Sequence, residues 1–69
     1  MKRITFGDLN ASHHNRAVII QDGDKTYTGK IDTIAHYLDQ GVTGVTLDSR
    51  PIGIQRRHNW PILVSDKTD

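Results

Sequence analysis

Cysteine is absent from the 69 residues, so neither a disulfide nor a Cys-based zinc site is available as a staple. Glutamate is absent as well. All eight acids are Asp, a residue of turns and caps, where Glu tolerates helix interiors. Aromatics are sparse, with one Trp, two Tyr and one Phe. Alanine occurs three times and Leu four times, against nineteen Ile, Val and Thr, a balance that favours strand over helix. No apolar run approaches transmembrane length. Met1-Lys2-Arg3 opens with positive charge, but Gly7-Asp8 follows too soon for the apolar region of a signal peptide. These absences predict a soluble, cytoplasmic protein without membrane contact. A net charge of +1 implies no domain-wide basic field of the kind that nucleic-acid binding displays. A chain this short forms one domain, and one small core rarely supplies more than about 3–5 kcal/mol of net stability. Close strand packing or oligomerisation must therefore stabilise it.

What is present is a rhythm. Short β-branched runs at 16–21, 26–36, 43–48, 52–56 and 60–65 alternate with turn residues at Gly23-Asp24, Gln40-Gly41, Arg50-Pro51 and His58-Asn59. Several short strands at such spacing read as a small all-β sandwich or barrel. A sixth short alternating piece, 2–6, is a strand or an edge arm, broken by Gly7-Asp8. Asn10 is placed to cap one helical turn over 11–15, with Asn15 closing it in a left-handed conformation. The expected organisation is a single domain over 1–69: arm and helical turn at 1–15, barrel at 16–65, tail at 66–69.

Within the first run, Val18 and Ile20 share one face and Ala17 and Ile19 the other, a pattern suited to a strand covered on both sides or to one that bends between two sheets. Asp22-Gly23-Asp24 is a hairpin signal, and Gly41-Val42-Thr43-Gly44 reads as a second hairpin turn. Pro61 needs an edge or first position in its strand because it lacks an N–H. The ambiguous stretch is 30–40. Ile31, Ile34, Ala35 and Leu38 make a helical stripe. Thr26, Thr28, Thr33 and Tyr37 favour strand, and Gly29 marks a bend or a close backbone approach. The strand is the favoured reading, with helix as the competitor.

Gly29, Ile31 and Ile34 in the stretch Tyr27-Thr28-Gly29-Lys30-Ile31-Asp32-Thr33-Ile34 match the spacing of the first Sm motif. The layout of a helical turn followed by five strands, the second long and bent, resembles an SH3-like or Sm-like small barrel. The resemblance covers about fifty residues and implies a mainly β, five-stranded barrel preceded by a short N-terminal helical turn. The RNA-binding residues of Sm-like proteins do not carry over: their slots hold Ala35, Leu38 and Asp39, and the second Sm motif is not evident. In overall pattern the chain is also similar to small orphan proteins of actinobacterial phages, which implies host cytoplasm and no assigned activity.

The chemistry-bearing residues are scattered. His13 and His14 are adjacent, His36 and His58 lie in other segments, and no metal-ligand spacing exists, so the histidines are expected to be exposed. No Ser sits in a Gly-x-Ser-x-Gly elbow, and Asp22 and Asp24 flank a turn glycine for backbone reasons. No catalytic residue, metal or cofactor is expected. One surface constellation stands out: Arg50, Arg56, Arg57, His58 and Trp60, residue types common at binding hot spots. On a nucleic acid the cations would meet phosphates while an aromatic ring stacks on a base. Trp60 also opens an apolar strand in a chain with few aromatics, which favours partial burial in the core. The leading expectation is a non-enzymatic protein-binding or self-assembling module acting through edge strands. A nucleic-acid-binding barrel using the Arg/Trp patch ranks second, and a small inhibitor of a host enzyme is a third reading.

Overall fold

The structure, a computed structural model, describes residues 1–48 and 53–66. The expected turn at Ser49-Arg50-Pro51, the start of the fourth expected run at Ile52, and positions 67–69 of the tail lie outside the described residues. The protein is mainly β. Its strands are β1 (Lys2–Thr5), β2 (Ala17–Asp22), β3 (Lys25–Tyr37), β4 (Val42–Leu47), β5 (Ile54–Arg57) and β6 (Pro61–Val64). Two 3-10 turns, Phe6–Asp8 and Ala11–His13, separate β1 from β2. Among the described residues no helix is long and apolar enough to cross a membrane.

The strands form one antiparallel sheet in the order β1-β6-β2-β3-β4-β5. The expected five-stranded barrel is thus an open six-stranded sheet: β1 adds to β6, and among the described residues no ladder joins β5 to β1. The sheet is nevertheless rolled. Its inner residues from β2, β3, β4 and β6 share one buried core, and Arg56 of β5 reaches Asp22 at the end of β2 at 2.6 Å. The expected helical turn is also shorter than one α-turn, because Asn15 reverses the chain at φ 66°.

The long middle strand makes the roll. Residues 25–37 are continuous strand, which decides the ambiguous stretch against helix. β3 bends where Gly29 takes φ +156° and Asp32 enters as an extra residue between the pairs Ile31↔Leu47 and Thr33↔Thr46, as a bulge does. Asp48 holds the bend from the neighbouring strand. Its own N–H donates to Lys30 O at 2.9 Å, and its Oδ1 accepts from Lys30 N–H at 2.9 Å. A Cβ on Gly29 would lie 2.5 Å from Asp48 Oδ2 and 3.1 Å from Leu47 Cβ, so backbone conformation and space both require glycine here.

The turns follow local chemistry. Asp22 pairs with Lys25 across a two-residue hairpin in which Gly23 has φ +63° at the first central position, the type II′ arrangement. The second hairpin reverses at 38–41. Of the expected turn Gly41-Val42-Thr43-Gly44 only Gly41 belongs to it, because β3 extends to Tyr37 and β4 starts at Val42. Pro61 occupies the first position of β6.

The core lies inside the roll: Val18 and Ile20 of β2, Ile31 of β3, Val45 and Leu47 of β4, Ile62 and Val64 of β6. Phe6 and Leu9 complete it, both almost fully buried. The segment expected as an outlying arm is therefore part of the core. Phe6 N–H donates to Trp60 O (2.9 Å) and Gly7 N–H to His58 O (2.8 Å), and the first 3-10 turn packs on β4 and β5. It bridges the side of the roll that no strand ladder closes.

Two outcomes test this account. Gly29→Ala should destabilise the fold by about 1–3 kcal/mol, read as the urea midpoint, and by less in an Asp48→Gly background where the clashing carboxylate is gone. Equal costs in both backgrounds would refute the proposed clash. Phe6→Ala should cost about 3–5 kcal/mol, comparable to the whole stability of a domain this small. Its circular dichroism at room temperature should show a largely unfolded chain.

Candidate functional site

The predicted Arg/Trp constellation splits. Arg50 lies outside the described residues. Along β5, Ile54 and Arg56 are half-buried while Gln55 and Arg57 are exposed, so Arg56 turns towards the seam of the roll. There it pairs with Asp22 at 2.6 Å, lies 5.8 Å from the centre of the Trp60 ring and donates through Nη1 to Gln55 O at 2.6 Å. Trp60 packs against the core and donates Nε1–H to Gln21 O at 3.2 Å. These contacts tie β5 to the far end of β2 through side chains. Arg57 stays exposed, and His58 is half-buried with Nε2 donating to Val42 O at 3.0 Å. Most of the constellation thus serves the fold.

The outward surface of the other half-sheet is a different matter. Register places Arg3, Leu63, Ile19 and Thr28 in one row across β1, β6, β2 and β3. The next row holds Thr5 and Pro61 on one side and Gln21 and Thr26 on the other. Arg3, Ile19, Gln21, Pro61, Ile62 and Leu63 line a shallow groove of about 250 Å³. Its centre is apolar, its end is cationic, and none of the outward residues in these rows is acidic. Asp8 touches only the margin, accepting from Thr5 Oγ1 at 2.9 Å. Sequence reading registered the second apolar face of β2 as that of a strand covered on both sides or bending between two sheets; Ile19 on that face is half exposed. The alternation of Leu63 against Ile62 and Val64 was the remaining signal. Only strand pairing brings Arg3, Leu63 and Ile19 together.

The sheet edges are partly occupied. On β1 the Thr5 N–H donates to Asp8 Oδ2 at 3.2 Å. On β5 the Gln55 carbonyl takes the Arg56 guanidinium and the Arg57 carbonyl takes Trp60 N–H at 2.9 Å. Side chains and turns thus fill positions an added strand would use.

His14 and His36 are exposed, as expected, whereas His13 and His58 are half-buried. His36 donates Nε2–H to Leu9 O at 2.7 Å, since a carbonyl only accepts, and its Nδ1 meets Thr43 Oγ1 at 2.8 Å. The His36 and His58 rings meet edge to face at 6.0 Å. Asn10 caps the second 3-10 turn, accepting from Ser12 N–H at 2.9 Å and Ser12 Oγ at 2.6 Å. His13 answers as the return half of a capping box: its Nδ1 accepts the Asn10 N–H at 3.0 Å. Burial, then the charges of Arg16 and Lys2, hold His13 below its ordinary pKa of 6.5. The Asp8 carboxyl sits below its ordinary 3.8, chiefly through the Thr5 hydroxyl bond. Among the described residues no three His or Asp side chains gather as a metal site.

Compared with protein-family models, curated proteins and solved structures, the chain matches none.

The His13 geometry fixes a pH dependence. A histidine whose folded pKa is lowered binds fewer protons folded than unfolded, so stability is full above about 6.5 and is lost as pH falls below it. His13→Gln keeps an acceptor for the Asn10 N–H and removes the titration. The stability of wild type relative to this variant should fall as pH drops from neutral into the acid range, by paired thermal melts. A difference independent of pH would contradict the assignment.

Proposed function

We propose that this chain is a non-enzymatic protein-binding module and that it binds through the outward face of β1, β6 and β2. The groove over Ile19, Leu63 and Pro61, with Arg3 at its end, carries this reading. An apolar centre with a polar, charged margin is the usual anatomy of a protein contact. The occupant is an extended segment of another protein that offers an apolar side chain beside a carboxylate. Charge argues for that partner over a second copy: stacking two of these faces would bring Arg3 of both copies together, and among the described residues these paired rows hold no carboxylate to meet it. The occupied edge positions on β1 and β5 direct the contact towards this face.

The strand path supports an opened form of the Sm-like and SH3-like plan, in which β2 to β5 meander and β6 returns to pair with β2. Binding of a host enzyme falls within the same reading. Nucleic-acid binding has less support, because Arg56 is paired with Asp22 and the Trp60 ring is covered by it. A non-enzymatic role fits side chains whose polar atoms are committed to the fold, as in Ser12, His36 and His58.

Selection of short random peptides on the immobilised protein should enrich sequences with an apolar residue next to Asp or Glu. Their amide shift changes should map to Arg3, Ile19 and Leu63. Leu63→Lys and Arg3→Glu should each weaken binding by about tenfold or more while leaving the melting temperature nearly unchanged. Peptides that bind equally well to both variants, or preferential capture of single-stranded nucleic acid, would overturn the assignment.

A further inference from the structure

On the inner side of β1 lies a second, smaller concavity that the docking face does not use. Ile4 and Val64 form its floor, and three basic side chains surround it: Lys2 from β1, His13 from the second 3-10 turn, and Arg16 from the entry to β2. Its volume is about 90 Å³, the space of roughly three waters at about 30 Å³ each.

We propose that this pocket binds a phosphate group, held by Arg16, Lys2 and the Nε2–H of His13. Arg16 is the anchor. Its backbone is fixed at both ends, with its N–H donating to His13 O at 3.1 Å and its carbonyl accepting from Ile31 N–H at 3.1 Å. Its Nε is buried and makes no hydrogen bond. A buried guanidinium donor without an acceptor is costly unless a ligand or water completes it. The guanidinium lines the concavity, and an oxyanion seated there meets it with charge assistance.

His13 contributes by its tautomer. The Asn10 N–H can only donate, so Nδ1 is the acceptor and the ring proton of the neutral form sits on Nε2. The capping box thus turns a neutral histidine into a donor at fixed orientation. Lys2 adds a mobile charge. Lys2, Arg16 and His13 line the same concavity, and the nearest carboxylate on the other side of His13 is Asp8. Asp66 sits at the rim, 4.0 Å from the Met1 amino group. Its charge opposes an anion, so its removal should strengthen binding.

The test is a titration of the whole chain with inorganic phosphate at neutral pH and constant ionic strength, against chloride, following Arg16 Nε–H and the His13 ring by NMR. A second arm uses phosphoserine. Saturable shifts at both groups are expected, weakened about tenfold by Lys2→Gln or Arg16→Gln and strengthened by Asp66→Asn. Lys2 is exposed, so its variant keeps the test valid should the Arg16 variant unfold. Tighter binding of phosphoserine would support the pocket as a site for a phosphate monoester, and equal binding would support it as a site for free phosphate. Shifts that stay linear, match those in chloride, or persist unchanged in Lys2→Gln would overturn the proposal. This result is independent of the docking face, whose residues the titration does not probe.

Discussion

The structure depends on one bend. β3 is long enough to belong to two half-sheets, and it does so because Gly29 and the extra residue Asp32 turn it in mid-course. Asp48 makes that turn stable. Its carboxylate and its amide take both backbone groups of Lys30, the groups a bulge would otherwise leave unpaired. The carboxylate then fills the space where a side chain at 29 would stand. Without the bend, Ile31 and Leu47 could not face Val18 and Ile20, and the chain would be a flat ribbon with no interior. A core this small has no reserve for such a loss.

A rolled sheet that does not close must seal its open side by other means. Phe6 and Leu9 enter the core from the N-terminal segment, and Arg56, Asp22 and Trp60 span the seam between β5 and the end of β2. A backbone ladder would have linked these elements along their length; side chains link them at points. An exposed ion pair alone contributes at most about 1 kcal/mol. The stacking of Arg56 on the indole and the buried aliphatic stem add packing to it. The cluster that looked like a binding hot spot has the same residue types as a seam, because both tasks need a planar cation over an aromatic ring.

The strands, the type of the 30–40 stretch, the Asn10 cap and the left-handed Asn15 were legible in the sequence, since each rests on local chemistry: β-branched runs, a turn glycine, an Asx side chain beside free amides. Closure was not legible. Whether β5 closes on β1 through a ladder or is tied to the end of β2 through Arg56 is decided by register between strands far apart in sequence, and periodicity carries no register information. The burial of Phe6 was hidden for the same reason. A lone aromatic before Gly7-Asp8 reads as the end of an arm until Trp60 O accepts its N–H. The candidate face shares this limit: Arg3, Leu63 and Ile19 meet only in the folded sheet.

The absence of Glu acquires a physical meaning in this arrangement. Asp8, Asp22 and Asp48 each reach a nearby group: the Thr5 amide and hydroxyl, the Arg56 guanidinium across the seam, the Lys30 amide at the bend. The first and last of these contacts need a carboxylate on a short stem, close to the backbone. Such use fixes these carboxylates at turns and at the seam, each on a partner of the fold. Arg56 is matched by Asp22, but Lys2, Arg3 and Arg16 form no ion pair among the described residues. Arg3 and Lys2 stand on β1, and Arg16 faces a concavity with an unbonded Nε. A chain with a net charge of only +1 thus presents locally positive surface on both sides of β1, tempered on the inner side by Asp66. Specific recognition follows such local fields rather than net charge. The acidic character proposed for both ligands follows from how the fold spends its aspartates.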